Sequence, residues 1–189
     1  MSAATLIRWG GLAAVVAAAL RMALDVLTFL SVVSSTGVAP AAVTVVELVL
    51  LSIGLVALYA HQSEATGILG LVGFLIAYVG TVVGLLTVVV PMLIVWIALL
   101  LLTGWALFGI ASLRAQVYPR AAAIILIIGA VLSGVGTALI RSGMIVVGPW
   151  AATTATVLPG LIYSVAIGWL GFSLFRKRSE EVYQPTHAS

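Results

Sequence analysis

The first hydrophobic segment of the chain reads WGGLAAVVAAALRMALDVLTFLSVV from Trp9 to Val33. A helix needs about 20 apolar residues to cross a bilayer, so this segment is long enough to span one. It nevertheless contains Arg21 and Asp25, and each ionised group near the bilayer centre costs about 3 kcal/mol on insertion scales. Because they lie four positions apart, the two side chains share one helix face, one turn from each other. The segment therefore predicts a membrane-buried ion pair, or half of a larger polar site.

The composition extends the membrane assignment to the whole chain. Of the 189 residues, 63% are hydrophobic and 7% are charged, whereas soluble domains average about 25% charged residues. The alternating polarity typical of β-barrel strands is absent. The sequence therefore predicts an all-α membrane protein with a single transmembrane domain. The absence of cysteine excludes disulfides, thiolate metal sites and iron–sulfur clusters.

Apolar segments separated by polar or helix-breaking residues predict a bundle of six transmembrane helices. They cover residues 7–33, 41–60, 68–88, 92–113, 121–140 and 150–175. The stretch 68–113 is too long for one crossing, and Pro91 is the expected turn because proline interrupts a helix. Residues 61–67 are expected to form a polar loop. The transmembrane domain then spans residues 1–175, and residues 176–189 form a polar cytoplasmic tail.

The distribution of basic residues predicts the orientation of the bundle. With six crossings, one side of the membrane holds both termini and six of the eight Lys and Arg residues. These six are Arg8, Arg114, Arg120, Arg176, Lys177 and Arg178. The other side holds only Arg141, and Arg21 is within the membrane. Because cytoplasmic loops are enriched in Lys and Arg, both termini are predicted to be cytoplasmic.

The same topology brings further charges towards the Arg21–Asp25 pair. Glu47 lies about two turns into the second predicted helix, and Arg141 lies at the outer end of the fifth. The candidate intramembrane cluster is therefore Arg21, Asp25, Glu47 and Arg141. Since Arg21 offsets only one carboxylate, Glu47 either carries a proton or is paired with Arg141. Such a cluster is either a proton relay or small binding pocket, or a structural pair that fixes helix register.

Small residues recur at four-residue spacing in two of the predicted helices. Gly80 and Gly84 form a GxxxG motif in the third, and Gly129 and Ser133 repeat that spacing in the fifth. Such residues let helix backbones approach closely, and they predict packing within the bundle. Several aromatic side chains, in a group that includes Tyr163, are expected near the membrane interfaces.

No catalytic motif is found, whether P-loop, Rossmann fingerprint, HExxH or GxSxG. An enzyme is not excluded, but no catalytic, cofactor-binding or metal-ligating residue is predicted. His61 is expected to be a solvated loop residue rather than a ligand. The basic residues cluster at helix ends, which indicates a role in topology rather than nucleic-acid binding.

Three segments carry a resemblance to a known class of protein. They are RWGGLAA from Arg8, LYAHQSEATGILGLVGFL from Leu58 and SLRAQVYPRAAAIIL from Ser112. Together they resemble an uncharacterised family of small polytopic membrane proteins, a domain-of-unknown-function class common in actinobacteria and green non-sulfur bacteria. The resemblance implies a six-helix bundle in the bacterial cytoplasmic (inner) membrane and transfers no site residues.

Two functions are consistent with the sequence. The first is an accessory or scaffolding subunit, surrounded by lipid, that packs against larger membrane proteins or its own copies. We favour this function over the second, because transporters usually carry more polar residues along a path. The second is a small transporter or proton-coupled carrier that uses the intramembrane charges, and the third charge, Glu47, favours this alternative.

Overall fold

The computed structural model describes residues 3–30, 37–88, 90, 93–141, 143 and 148–182. Its helices are α1 (Ala3–Phe29), α2 (Val38–Gly84), α3 (Ile94–Ala115), α4 (Arg120–Arg141) and α5 (Pro149–Val182), with a 3-10 turn at Leu85–Val88. Within the described ranges no strand is present. The five α-helices are all long and apolar enough to cross a membrane. The predicted all-α fold is confirmed, and the helices are compatible with a multi-pass membrane protein.

Helix α2 reverses direction at Gly67. Its 47 residues would extend about 70 Å if straight, more than twice the thickness of a bilayer core. Gly67, however, has a non-helical φ of 57° and ψ of −150°. Tyr59 and Phe74 then stack with ring centroids 4.4 Å apart, whereas a straight helix would separate these positions by about 22 Å. Residues 38–66 therefore form a first arm and residues 68–84 an antiparallel second arm.

The boundaries differ from the prediction at two places. The prediction of a loop at residues 61–67 is wrong for residues 61–66, which are helical. Only Gly67 has a non-helical backbone. Within that segment, the Thr66 hydroxyl donates to the carbonyl of Gln62, so a polar side chain bonds to its own helix. Helix α5 continues to Val182, beyond the predicted end of the transmembrane domain. The expected turn at Pro91 falls outside the described residues.

The helices pack as a closed ring in chain order. Each helix contacts the next, and α5 returns to α1. Small residues make these contacts close: a Cβ on Gly54 would lie 2.7 Å from the Cβ of Ala14. A Cβ on Gly73 would lie 2.6 Å from the backbone nitrogen of Phe108. The first arm of α2 therefore packs on α1 and the second arm on α3.

Contacts between helix ends define two ends of the ring. The Arg8 guanidinium lies 5.0 Å from the ring centre of Phe175, which joins the start of α1 to the last part of α5. The Tyr118 hydroxyl donates to the carbonyl of Leu58 at 2.9 Å, which joins the α3–α4 turn to the first arm. We call this the basic end, because it carries Arg8, Arg114, Arg120 and Arg176. The opposite end, where α1 ends and α5 begins, is called the far end.

The hydrophobic core fills the half of the ring nearer the basic end. Its largest fully buried side chains are Trp105, Phe108, Leu55, Leu58, Leu126, Ile167, Leu170 and Leu174. On each of their helices, these positions lie from the middle towards the basic end. The interior of the ring is therefore closed at the basic end by apolar packing.

Candidate functional site

Three of the four charged residues predicted to cluster come together on α1 and α2. Nε of Arg21 lies 3.1 Å from each carboxylate oxygen of Asp25. Nη1 of Arg21 lies 4.0 Å from Oε2 of Glu47. Asp25 and Glu47 are only 6% and 5% exposed. Arg141 is the last residue of α4, but its side chain lies outside the described part of the chain.

The register of α1 against the first arm of α2 produces this meeting. Ala14 packs on Gly54. Arg21 lies seven residues after Ala14 and Glu47 lies seven residues before Gly54. In an antiparallel pair, seven residues, or about two turns, return each helix to the same face. The close contact of two small residues therefore sets Arg21 opposite Glu47.

Helix α5 provides space for the Asp25 carboxylate. A Cβ on Gly160 would lie 2.7 Å from Oδ2 of Asp25, so any side chain there would displace the carboxylate. Gly160 follows Pro159, which lies inside α5. Because proline has no backbone N–H, it cannot donate a helical hydrogen bond to the carbonyl of Ala155. The Asp25 carboxylate thus packs against α5 where one backbone hydrogen bond of the helix is missing.

Glu47 is left with an incomplete set of partners. Its Oε2 is buried and accepts no hydrogen bond from any described group. The 4.0 Å separation from Arg21 is an ion-pair distance, but it is longer than a hydrogen bond. Arg21 balances one of the two carboxylates. The other arginine side chains that the structure describes lie at the basic end, so the described groups of the cluster carry one carboxylate without a matching cation.

Tyr163 of α5 joins this cluster, although it was grouped with the interfacial aromatic residues. Its hydroxyl lies within electrostatic range of the charges of Glu47 and Arg21. Its ring meets the edge of Trp105 at a centroid distance of 5.6 Å. Its position, four residues before Ile167 and seven before Leu170, places it on the buried face of α5. That periodicity was the sequence signal for an interior position.

Arg21 faces the interior of the ring and yet is partly exposed. Ala14, Ala17 and Asp25 are all buried. Arg21 lies seven, four and four residues from them, so it is on the same face of α1. From Val16 onwards, the exposed residues of α1 form a different face, at Val16, Ala19, Ala23, Val26 and Leu27. The Arg21 side chain is nevertheless 40% exposed. Arg21 therefore combines a position on the inner face of α1 with a partly exposed side chain.

On the inner faces of α4 and α5, residues towards the basic end are buried and polar residues towards the far end are half-buried. On α4, Leu126 and Ala130 are buried, whereas Ser133 and Thr137, further along the same face, are half-buried. Thr156 of α5, one turn before Gly160, is likewise half-buried. We call this set of half-buried residues on the inner helix faces, Arg21, Ser133, Thr137, Thr156 and Tyr163, the far-end vestibule. Asp25 and Glu47 are buried beside it.

A second buried polar group lies towards the basic end and was missed in the sequence. Gln62, expected in a loop, is fully buried, and its Oε1 accepts a 2.7 Å hydrogen bond from the hydroxyl of Ser112. Burial raises the pKa of the Tyr118 phenol above its ordinary value, and the His61 ring lies 5.8 Å from the Tyr118 ring. These contacts join α2 to α3 and to the turn after it, which is a structural role.

The predicted packing residues take different roles. A Cβ on Gly80 would lie 3.2 Å from the Leu101 side chain, and one on Gly129 would lie 2.6 Å from the backbone nitrogen of Tyr163. Both are at close helix contacts. A Cβ on Gly84 would make only ordinary contacts, and Ser133 belongs to the vestibule. No group of three His, Asp or Glu residues suited to a metal ion occurs among the described residues.

Comparison with protein families, with curated proteins and with solved structures finds no match for this chain. The resemblance to small bacterial membrane proteins therefore stays a prediction.

Proposed function

We propose that this protein is a small transporter whose solute-binding site is the Arg21–Asp25–Glu47 cluster at the base of the far-end vestibule. The observation that carries the proposal is the 40% exposure of Arg21 on the inner face of α1. A charge held only for helix register is expected to be fully enclosed by partners. An inward charge with free surface can bind a solute, and intramembrane charges commonly mark substrate or ion pathways.

The proposal includes six crossings in the bacterial cytoplasmic membrane. Each arm of α2 contributes one crossing, because the arms run antiparallel from Gly67 and each is close to the length that a bilayer core requires. The basic end then faces the cytoplasm by the distribution of Arg and Lys. The vestibule opens to the outside, and the apolar core closes the path towards the cytoplasm. This arrangement corresponds to an outward-open state.

Cysteine accessibility tests the vestibule, since the natural chain contains no cysteine. Ser133→Cys and Thr137→Cys are expected to react with a water-soluble, membrane-impermeant thiol reagent added from outside. Val131→Cys and Val135→Cys on the outer face of α4 are expected to stay unlabelled, because a thiol in lipid does not form the reactive thiolate. Leu126→Cys, on the inner face but within the core, is the matched control for depth.

The labelling pattern distinguishes this proposal from its alternative. Equal labelling of inner and outer positions, or protection of both inner positions, would overturn the vestibule. An accessory subunit instead predicts that mild detergent extracts the protein in a larger complex with other membrane proteins. A transporter predicts a lone protomer or homo-oligomer that moves solute after reconstitution into vesicles.

A further inference from the structure

We propose that Glu47 binds a monovalent organic cation, in exchange for a proton, as the substrate-selecting group of the vestibule. This inference rests on the proposed function and specifies the chemistry of its solute. Its starting point is the buried Oε2 of Glu47, which accepts no hydrogen bond from any group in the described part of the chain. A buried carboxylate oxygen without a donor is costly, so the site is completed by a proton or by a cationic ligand.

The charges of the cluster favour a cation over an anion. Arg21 bonds directly to Asp25 at 3.1 Å, whereas its closest approach to Glu47 is 4.0 Å. With both carboxylates ionised, the three residues carry one net negative charge. A ligand with one positive charge restores neutrality, and an anion would add to the excess.

The groups around Glu47 favour an organic cation over a metal ion. Hard metal cations bind through several oxygen ligands, and the free donor here is one carboxylate oxygen near a guanidinium group. Tyr163 instead has its hydroxyl within electrostatic range of Glu47, and its aromatic ring packs against Trp105. Aromatic rings attract ammonium groups through the quadrupole of the ring, particularly where water is excluded.

Exchange follows from the same balance of charge. When the cation binds, the O–H bond of the Glu47 carboxyl breaks, and its proton leaves to water in the vestibule. The cation then pairs with the carboxylate, and no electrons are transferred. The described titratable or charged groups within electrostatic range of Glu47 are Arg21 and Asp25 on α1 and Tyr163 on α5. Arg21 and Tyr163 keep their protons in this scheme, and Asp25 remains paired with Arg21.

The test measures binding of radiolabelled tetramethylammonium, tetraethylammonium and tetraphenylphosphonium to the full chain in detergent. We expect saturable binding of at least one probe. As the pH falls and the Glu47 carboxylate is protonated, the affinity is expected to decrease, approaching about tenfold per pH unit. In weakly buffered solution, binding is expected to release protons. Glu47→Gln is expected to bind at least about tenfold more weakly and to release none.

Glu64→Gln is the matched control, because Glu64 is an exposed residue of the same helix, and it is expected to bind as the natural protein does. Absence of saturable binding for all three probes, pH-independent binding, or unchanged binding by Glu47→Gln would each overturn the inference. If Glu47→Gln fails to fold, the natural protein alone tests the inference: proton release on cation binding supports it, and binding without proton release contradicts it. If cation binding is absent but the vestibule cysteines react with the thiol reagent, only the assignment of a cation is wrong. If the vestibule cysteines do not react, the proposed function itself is wrong.

Discussion

Arg21 is the residue on which the candidate site depends, because it pairs with carboxylates on two helices at once. Replacing it by glutamine would leave Asp25 and Glu47 buried side by side without a cation. Removing one partner of a buried ion pair typically costs about 3–5 kcal/mol. Because the Arg21 side chain is 40% exposed, solvent screening reduces this cost, and we predict that Arg21→Gln lowers the free energy of unfolding by about 1–3 kcal/mol, measured by denaturant or thermal unfolding in detergent.

The second substitution at this pair separates charge from packing. Adding Asp25→Asn to Arg21→Gln removes a buried anion together with the cation, so most of the lost stability is expected to return. Arg114→Gln, at an exposed position of the basic end, is expected to leave the unfolding transition unchanged. A single Arg21→Gln variant as stable as the natural protein would contradict the ion-pair assignment.

At the scale of elements, Gly67 determines the shape of α2. Its φ of 57° with ψ of −150° is a backbone conformation that residues with a side chain rarely adopt, and no atom lies within 4 Å of a Cβ built there. The cost of a substitution is therefore backbone strain and not a clash. We predict that Gly67→Ala lowers the free energy of unfolding by about 1–3 kcal/mol. Thermal unfolding in detergent measures this change.

Gly84→Ala is the matched control within the same helix. Its Cβ would meet only ordinary contacts, the nearest at 3.5 Å, and alanine favours a helix over glycine by up to about 1 kcal/mol. It is therefore expected to be neutral or stabilising. If both variants behave alike, the reversal at Gly67 does not require glycine.

The elements also show what the sequence could predict. Apolar length located each helix, with ends that differ from those of the structure by up to seven residues, and the four-residue spacing of Arg21 and Asp25 predicted their pairing. The helix at residues 61–66 was missed because several of its residues are polar. Gln62 is hydrogen-bonded to Ser112, which lies fifty residues away in the sequence. Long-range partners of this kind leave no mark on local periodicity.

The vestibule was beyond the sequence for a different reason. Ser133 and Thr137 follow Leu126 and Ala130 on one face, so their inward direction could be predicted from the helical period. Their partial exposure could not, because it depends on how far apart the helices of the ring stand at the far end. Only the packed arrangement shows that the largest fully buried side chains lie from the middle of the bundle towards the basic end.

At the scale of the whole molecule, the two ends differ in both charge and packing. The basic end combines the described arginine side chains outside the cluster with the apolar core. The far end holds the vestibule. In the proposed orientation, the basic end faces the cytoplasm, because cytoplasmic segments are enriched in Lys and Arg.

That assignment predicts the reactivity of single cysteines in intact bacterial cells. Gly148→Cys, exposed between α4 and α5 at the far end, is expected to react with an impermeant maleimide added outside. Glu64→Cys and Arg114→Cys, exposed at the basic end, are expected to react only after permeabilisation. Reaction of both basic-end positions in intact cells, with protection of Gly148→Cys, would invert the orientation. Reaction of Glu64→Cys but not Arg114→Cys would contradict two crossings by α2, because the contact of Tyr118 with Leu58 places both positions at one end.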